Sequence, residues 1–251
     1  LLREKKEIEI EDNTFENCTS LEEITIPPMM KKIGNSTFSE CISLKKVVIP
    51  NSVTSISDNA FYKCTSLFEI SFPSFLETIG DNAFNGCSSL KEITIPSTLQ
   101  SIGEYTFKDC LSLCHIYIIN INESQSSNDL VLTNTKTGIG KSAFKGCSLL
   151  QKVTFEEPTK LSFIDESVFE YCFNLQEIII PPSVVEIKKR TFYDCHTLEK
   201  VVIPPSVISI KKQASLLIAL IFSKIPPNDI EFLNSPNEEE EEESIDLLEN
   251  V

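Results

Sequence analysis

NAFYKCTSLFEISFPSFLETIGDNAFNGCSSLKEITIP, residues 59–96, states nearly the same thing twice. Asn-Ala-Phe-x-x-Cys-x-Ser-Leu occupies Asn59–Leu67 and returns at Asn82–Leu90, 23 residues later. Followed in both directions, Phe-x-x-Cys occurs eight times, starting at Phe15, Phe38, Phe61, Phe84, Phe107, Phe144, Phe169 and Phe192. The cysteines are spaced by 23, 23, 23, 23, 37, 25 and 23 residues. Leu stands three residues after every one of them, and Ile stands five before every Phe. Six and eight residues after each Cys come Ile, Val or Phe, and Pro follows in six of the eight units. Self-similarity at a period of 20–50 residues is the signature of a stacked repeat, and it has to be found before any secondary structure is assigned.

Each unit reads as one small coil. Leu90-Lys-Glu-Ile93-Thr-Ile95 ends in the two-residue alternation of a short strand, and Pro96 stops it. Leu99 and Ile102 predict a second brief extended stretch on another side of the coil. Phe107, Cys110 and Leu113, three apart, predict one or two helical or 3-10 turns between them. A coil of this size cannot enclose its own apolar side chains. Stacked on its neighbours it forms one continuous core, with parallel strands about 4.8 Å apart.

The departures mark the ends and one interruption. Residues 1–9 read as a truncated N-terminal edge that leaves the first coil uncapped, and residues 10–210 as the solenoid. The 37-residue interval holds 14 extra residues around 120–137, rich in Asn, Ser and Thr, and predicts a loop leaving the stack. Residues 156–160 take up the two-residue excess of the next interval. Over 211–228 the pattern decays as a terminal cap does, and 229–251 reads as an acidic disordered tail.

Composition sets the outer limits. The 251 residues are 41 % hydrophobic and 24 % charged, with no Trp and two His, a globular balance. The net charge is −15, yet ten acids and no Lys or Arg lie from Asp229 onward, so the repeats themselves carry only about five excess negative charges. That tail repels phosphate and no basic stripe offsets it, which argues against nucleic acid as a partner. The longest apolar run, Leu216–Phe222, is far short of the roughly 20 residues of a membrane span. The chain begins on Leu1 with no basic-then-apolar leader ahead of the first repeat, so export cannot be read from this end.

The unit I-x4-F-x2-C-x2-L-x2-I-x-I-P-x2-V, clear across Ile187–Val207, resembles the BspA-like leucine-rich repeats. The similarity runs from Ile10 to Val207. It implies an α/β-type leucine-rich repeat solenoid of about eight 23-residue coils, a curved right-handed stack with its parallel strands on the concave face. Members of that family are repeat-built surface proteins of host-associated bacteria and mucosal protists, implicated in adhesion to matrix proteins and other cells. The resemblance therefore implies a non-catalytic surface-antigen or recognition role, displayed on the cell surface or secreted, with a protein or glycan ligand. An intracellular interaction scaffold of the same architecture stands as the alternative, because a fold does not fix a function.

Two chemistries compete for the cysteines. Metal binding needs thiolates or imidazoles converging at short spacing, which a 23-residue period does not supply. Disulfides between neighbouring coils are within reach in distance, but equivalent side chains in a ladder run parallel. Core thiols are the expected reading, with Phe and Cys as inner studs of every coil. Cys114 is the exception, in a column that carries Glu22, Lys45, Phe68, Lys91, Gln151, Gln176 and Glu199 elsewhere; it is expected to be an exposed thiol. His115 follows it, but neighbours on a strand point apart, so a Cys/His nucleophile is not expected. No Ser/His/Asp set or glycine-rich phosphate loop can be assembled, and no catalytic, cofactor or metal residues are assigned.

The outward strand positions form two columns, one of mixed charge and one of Thr, Val, Ser, Tyr and Ile. They fit a solvated sheet face with local pairing or a broad binding surface. The predicted partner patch is Glu92, Thr94, His115, Tyr117, Lys152 and Thr154, centred on Tyr117 and bordered by the 120–137 segment. Asn17, Asn35 and Asn122 begin glycan-acceptor tripeptides, of which Asn122 is the accessible candidate. Glu243 with Leu247-Leu248 resembles an acidic dileucine sorting signal, which works only on a cytosolic tail.

Overall fold

The computed structural model describes residues 10–96, 98–119, 138–155, 161–211 and 213–214. The expectations for residues 1–9, for the 120–137 insertion with Asn122, for 156–160, for most of the cap and for the acidic tail fall outside the described residues.

Among the described residues, sixteen short strands alternate along the chain. The odd-numbered ones are β1 (Glu23–Thr25), β3 (Lys46–Val48), β5 (Glu69–Ile70), β7 (Glu92–Pro96), β9 (His115–Ile119), β11 (Lys152–Phe155), β13 (Glu177–Ile179) and β15 (Lys200–Val202). The even-numbered ones have two residues each: β2 (Lys32–Ile33), β4 (Ser55–Ile56), β6 (Thr78–Ile79), β8 (Ser101–Ile102), β10 (Gly138–Ile139), β12 (Phe163–Ile164), β14 (Glu186–Ile187) and β16 (Ser209–Ile210). Every pairing is parallel and joins a strand to its equivalent one coil away, as in Glu23↔Lys46 and Ile33↔Ile56. The chain is a parallel solenoid.

The even strands make one unbroken eight-stranded sheet, β2 to β16. The odd strands divide into a three-stranded sheet, β1-β3-β5, and a five-stranded one, β7-β9-β11-β13-β15. The division falls where Phe72 replaces the isoleucines carried by the coils on either side, Ile49 and Ile95. The Phe72 ring turns into the following coils instead, 5.5 Å edge-on to Phe84 and 6.5 Å from Phe107. The 37-residue interval does not disturb register, since His115 pairs with Lys152 and Ile102 with Ile139.

The interior is built from columns. The eight phenylalanine rings stack at centroid separations of 5.1–5.6 Å with planes within 12° of parallel, inside the range that offset aromatic pairs prefer. Six of the repeat cysteines are buried and the two end members, Cys18 and Cys195, are partly so; all nine cysteines are free. From Cys41 to Cys195, each repeat thiol donates to the carbonyl of the preceding coil's Phe at 3.1–3.3 Å. The same carbonyl accepts the backbone N–H of its own coil's Cys, as Phe61 does from Cys64. Burial pushes the thiols up: Cys41 to about 11, Cys195 to about 12, and Cys87, Cys147 and Cys172 well above the ordinary value.

The helical turns expected around Phe-x-x-Cys are not formed. Each coil instead has left-handed residues two before and two after its Phe, such as Asn59 and Lys63, or Asn82 and Gly86. Left-handed residues interrupt a right-handed helix at both edges of the segment. They also turn alternate amides towards the next coil, so that Phe61 N–H donates to Ala83 and Phe84 N–H to Thr106. Over the eight coils these Phe bonds measure 2.7–3.0 Å, a third ladder along the stack. It reaches past the last Phe: Ala214, 2 % exposed, accepts from Phe192, beside left-handed Gln213.

Candidate functional site

The six residues of the predicted patch come together on three adjacent strands. β7, β9 and β11 pair in register, which aligns Glu92–His115–Lys152 in one row and Thr94–Tyr117–Thr154 in the next. The alternation that buries Ile93, Ile116 and Val153 sends both rows outward. Glu92, Thr94 and Lys152 are exposed, His115 and Thr154 half-buried, and Tyr117 is 38 % exposed. The His115 and Tyr117 rings lie side by side, 6.1 Å apart and 19° from parallel. Further along the same face Ile179 and Val202, paired in register, remain 55 % and 41 % exposed.

Cys114 departs from its column. The seven equivalents are exposed, whereas Cys114 is half-buried and its thiol donates to the Lys91 carbonyl at 3.3 Å. It does come near His115, against the expectation from strand alternation, because residue 114 precedes β9 and is not part of the strand. Glu92 reaches the same point from the neighbouring coil, its Oε1 3.5 Å from His115 Nδ1. Ligand-type atoms of Glu92, Cys114 and His115 all lie within 4.8 Å of one another. His115 Nδ1 is buried and makes no hydrogen bond.

A second constellation escaped the sequence reading. On the turn side of the last two Phe-x-x-Cys coils, Tyr171 lies 6.0 Å from Phe173 and 6.1 Å from Tyr193, and Phe173 stacks on His196 at 5.3 Å. Lys145 Nζ stands over the Tyr171 ring and the Arg190 guanidinium over Tyr193. The Glu170 carboxylate, 1 % exposed, sits between Lys145 at 3.1 Å and Arg190 at 3.8 Å. The signal was present: Tyr171 and Phe173 flank one repeat cysteine, and Tyr193 and His196 surround the next.

An open hollow of about 370 Å³ lies along the even-strand sheet beside Ser55, Thr78, Ser101, Asp58 and Asp81. Its carboxylates are already engaged by backbone, Asp58 accepting from Asp81 N–H and Asp81 from Glu104 N–H. Those bonds tie coil to coil. No helix among the described residues is long and apolar enough to cross a membrane.

Residues 8–128 and 120–235 match the family model of the BspA type leucine rich repeat region, in six copies. A leucine rich repeat protein of T. pallidum is 26 % identical over 66 % of this chain and 70 % of its own, with a TM-score of 0.55. A leucine-rich repeat protein of Eubacterium ventriosum is 24 % identical over 75 % of this chain and 41 % of its own, at a TM-score of 0.50, a likeness of fold. A leucine rich cell surface protein of Faecalibacterium prausnitzii is 26 % identical over 81 % of this chain and 59 % of its own, at a TM-score of 0.46. No curated protein matches the chain.

Proposed function

Since the chain belongs to the BspA-type leucine-rich repeat family, whose repeats support a protein-interaction role, we propose that it is a non-catalytic binding protein that recognises a protein or glycan along its odd-strand face. The observation that carries this reading is the outward row Thr94–Tyr117–Thr154, continued by exposed Ile179 and Val202 on the same sheet. A solvated face needs no exposed Tyr, Ile and Val in one row. A tyrosine there offers a large rigid contact and a hydroxyl. Glu92 and Lys152 supply charge beside it and His115 an imidazole, and the 120–137 segment follows β9 in the sequence. The role proposed is recognition or adhesion at the cell surface.

The experiment is a binding measurement on a partner or glycan captured by the intact chain. Tyr117→Ala combined with a shortened 120–137 segment weakens binding at least tenfold, about 1.4 kcal/mol, without a comparable loss of stability. Unchanged binding by that double variant removes the site. The nine free cysteines favour a second reading, an intracellular scaffold, because disulfides accumulate in oxidising compartments. Locating the protein in its native cell separates the two.

A further inference from the structure

We infer that Glu92, Cys114 and His115 form a three-ligand site for a divalent transition metal of Zn²⁺ type on the odd-strand face. The donor set is a thiolate, an imidazole and a carboxylate, the combination that a borderline-soft d¹⁰ ion accepts. All three offer ligand atoms within 4.8 Å of one another. Around a tetrahedral ion with metal–ligand bonds of about 2.0–2.3 Å, neighbouring ligand atoms are about 3.4–3.6 Å apart. Glu92 Oε1 and His115 Nδ1, at 3.5 Å, already have that separation. They make no hydrogen bond, and Nδ1 is buried from water. Such a nitrogen is left with an unmet bonding requirement that a metal ion would satisfy.

The site is specific to one place in the repeat. The column of Cys114 holds no other cysteine, the column of His115 no other histidine, and the register Glu92↔His115 brings the carboxylate across from the coil before. Binding costs the Cys114 thiol its bond to the Lys91 carbonyl. The thiol proton leaves to solvent as the sulfur–metal bond forms. Lys91 and Lys152, both exposed, stand beside the site on the coils before and after that of Cys114. They oppose a cation there, and the two anionic ligands outweigh them at contact distance. Three protein ligands leave the fourth position to water or to a partner's side chain.

The probe is the metal alone, so the outcome is independent of the partner-binding reading. The reduced, metal-free chain is titrated with Co²⁺, then with Zn²⁺. One equivalent of Co²⁺ is expected to produce thiolate-to-metal charge transfer in the near ultraviolet together with the intense visible bands of four-coordination, and Zn²⁺ to displace it. Cys114→Ser abolishes the charge-transfer band, while Glu92→Gln and His115→Ala each weaken binding at least tenfold. Cys18→Ser, at the half-buried repeat thiol of the first coil, leaves it unchanged. Metal held by the glutamates of 238–243 gives no thiolate band and cannot imitate the result. In the unaltered protein Zn²⁺ should also slow alkylation of Cys114 at least tenfold, which keeps the test open should Cys114→Ser fold poorly. No thiolate band, a band that persists in Cys114→Ser, or unchanged affinity in both Glu92→Gln and His115→Ala overturns the assignment.

Discussion

Cys110 and Cys114 are four residues apart in one coil and obey different rules. Cys110 is one of eight equivalent residues, fully enclosed, its thiol bonded to the Phe84 carbonyl. Cys114 has no equivalent, is half-buried, and meets two side chains of other types. The same contrast separates the whole interior from the odd-strand face. Inside, each residue must fit a copy of itself 23 residues away, so the columns are uniform and a change in one coil is felt by two neighbours. Outside, a residue answers to water and to its cross-strand partners, and the columns vary.

The largest expected effect tests that contrast directly. Phe84 is fully buried between Phe61 at 5.1 Å and Phe107 at 5.3 Å. Phe84→Ala should cost about 3–5 kcal/mol in chemical denaturation, because the stack cannot close over the lost ring. Tyr117→Ala, on the face, should stay within about 0.5 kcal/mol. Equal losses from the two variants would erase the distinction between column and face.

Alkaline pH probes the thiol column as a group. Buried Cys87, Cys147 and Cys172 stay protonated in the fold well above the ordinary value of 9.0, while in the unfolded chain they ionise near it. Above that pH the folded state therefore binds more protons than the unfolded state, and stability falls as pH rises. The contribution is complete below about pH 9. It is lost from there upward, by at most about 1.4 kcal/mol per pH unit for each such thiol. Denaturation midpoints measured from pH 8 to 10.5 check the direction. Cys87→Ala should flatten the slope.

The smallest effect lies on the face. Lys200, exposed, and Glu177, half-buried, are cross-strand partners 3.4 Å apart. A double-mutant cycle should return a coupling under about 0.5 kcal/mol that fades with salt. A coupling above 1 kcal/mol would mean that the face contributes to the fold as the interior does.

Much of this was legible in the sequence because the period converts position into place. Ile93, Cys87 and Phe84 could be set in columns before any coordinates, and the two rows of the patch follow from the same arithmetic. The turns were misread for a local reason. Phe, Cys and Leu three apart fit a helix as well as they fit successive tight turns, and only the residues between them distinguish the two. Asn13, Asn17, Asn59 and Asn82, with Gly86 and Gly146, stand at the left-handed positions, which Asn and Gly tolerate better than other residues. That was the available clue. The meeting of Cys114 with His115 depends on how the chain enters β9, and residue spacing does not encode it. In the Tyr171–Phe173–Tyr193–His196 group only Phe173 and His196 share a column, while Tyr171 and Tyr193 stand at unequal offsets from their cysteines, so no single column reveals it.

The division between β5 and β7 makes the stack mechanically unequal along its length. Every other pair of adjacent coils is joined by odd strands, even strands and the ladder at the Phe turns. At this seam no odd-strand pairing forms among the described residues, and the load passes to β6–β8, to the turn amides and to side-chain bonds such as that from Thr98 Oγ1 to the Leu76 carbonyl. A pull applied to the two ends of the solenoid concentrates on that seam and opens it first, peeling three coils from five. The chain would then lengthen in two steps, and restoring isoleucine at Phe72 would merge them into one.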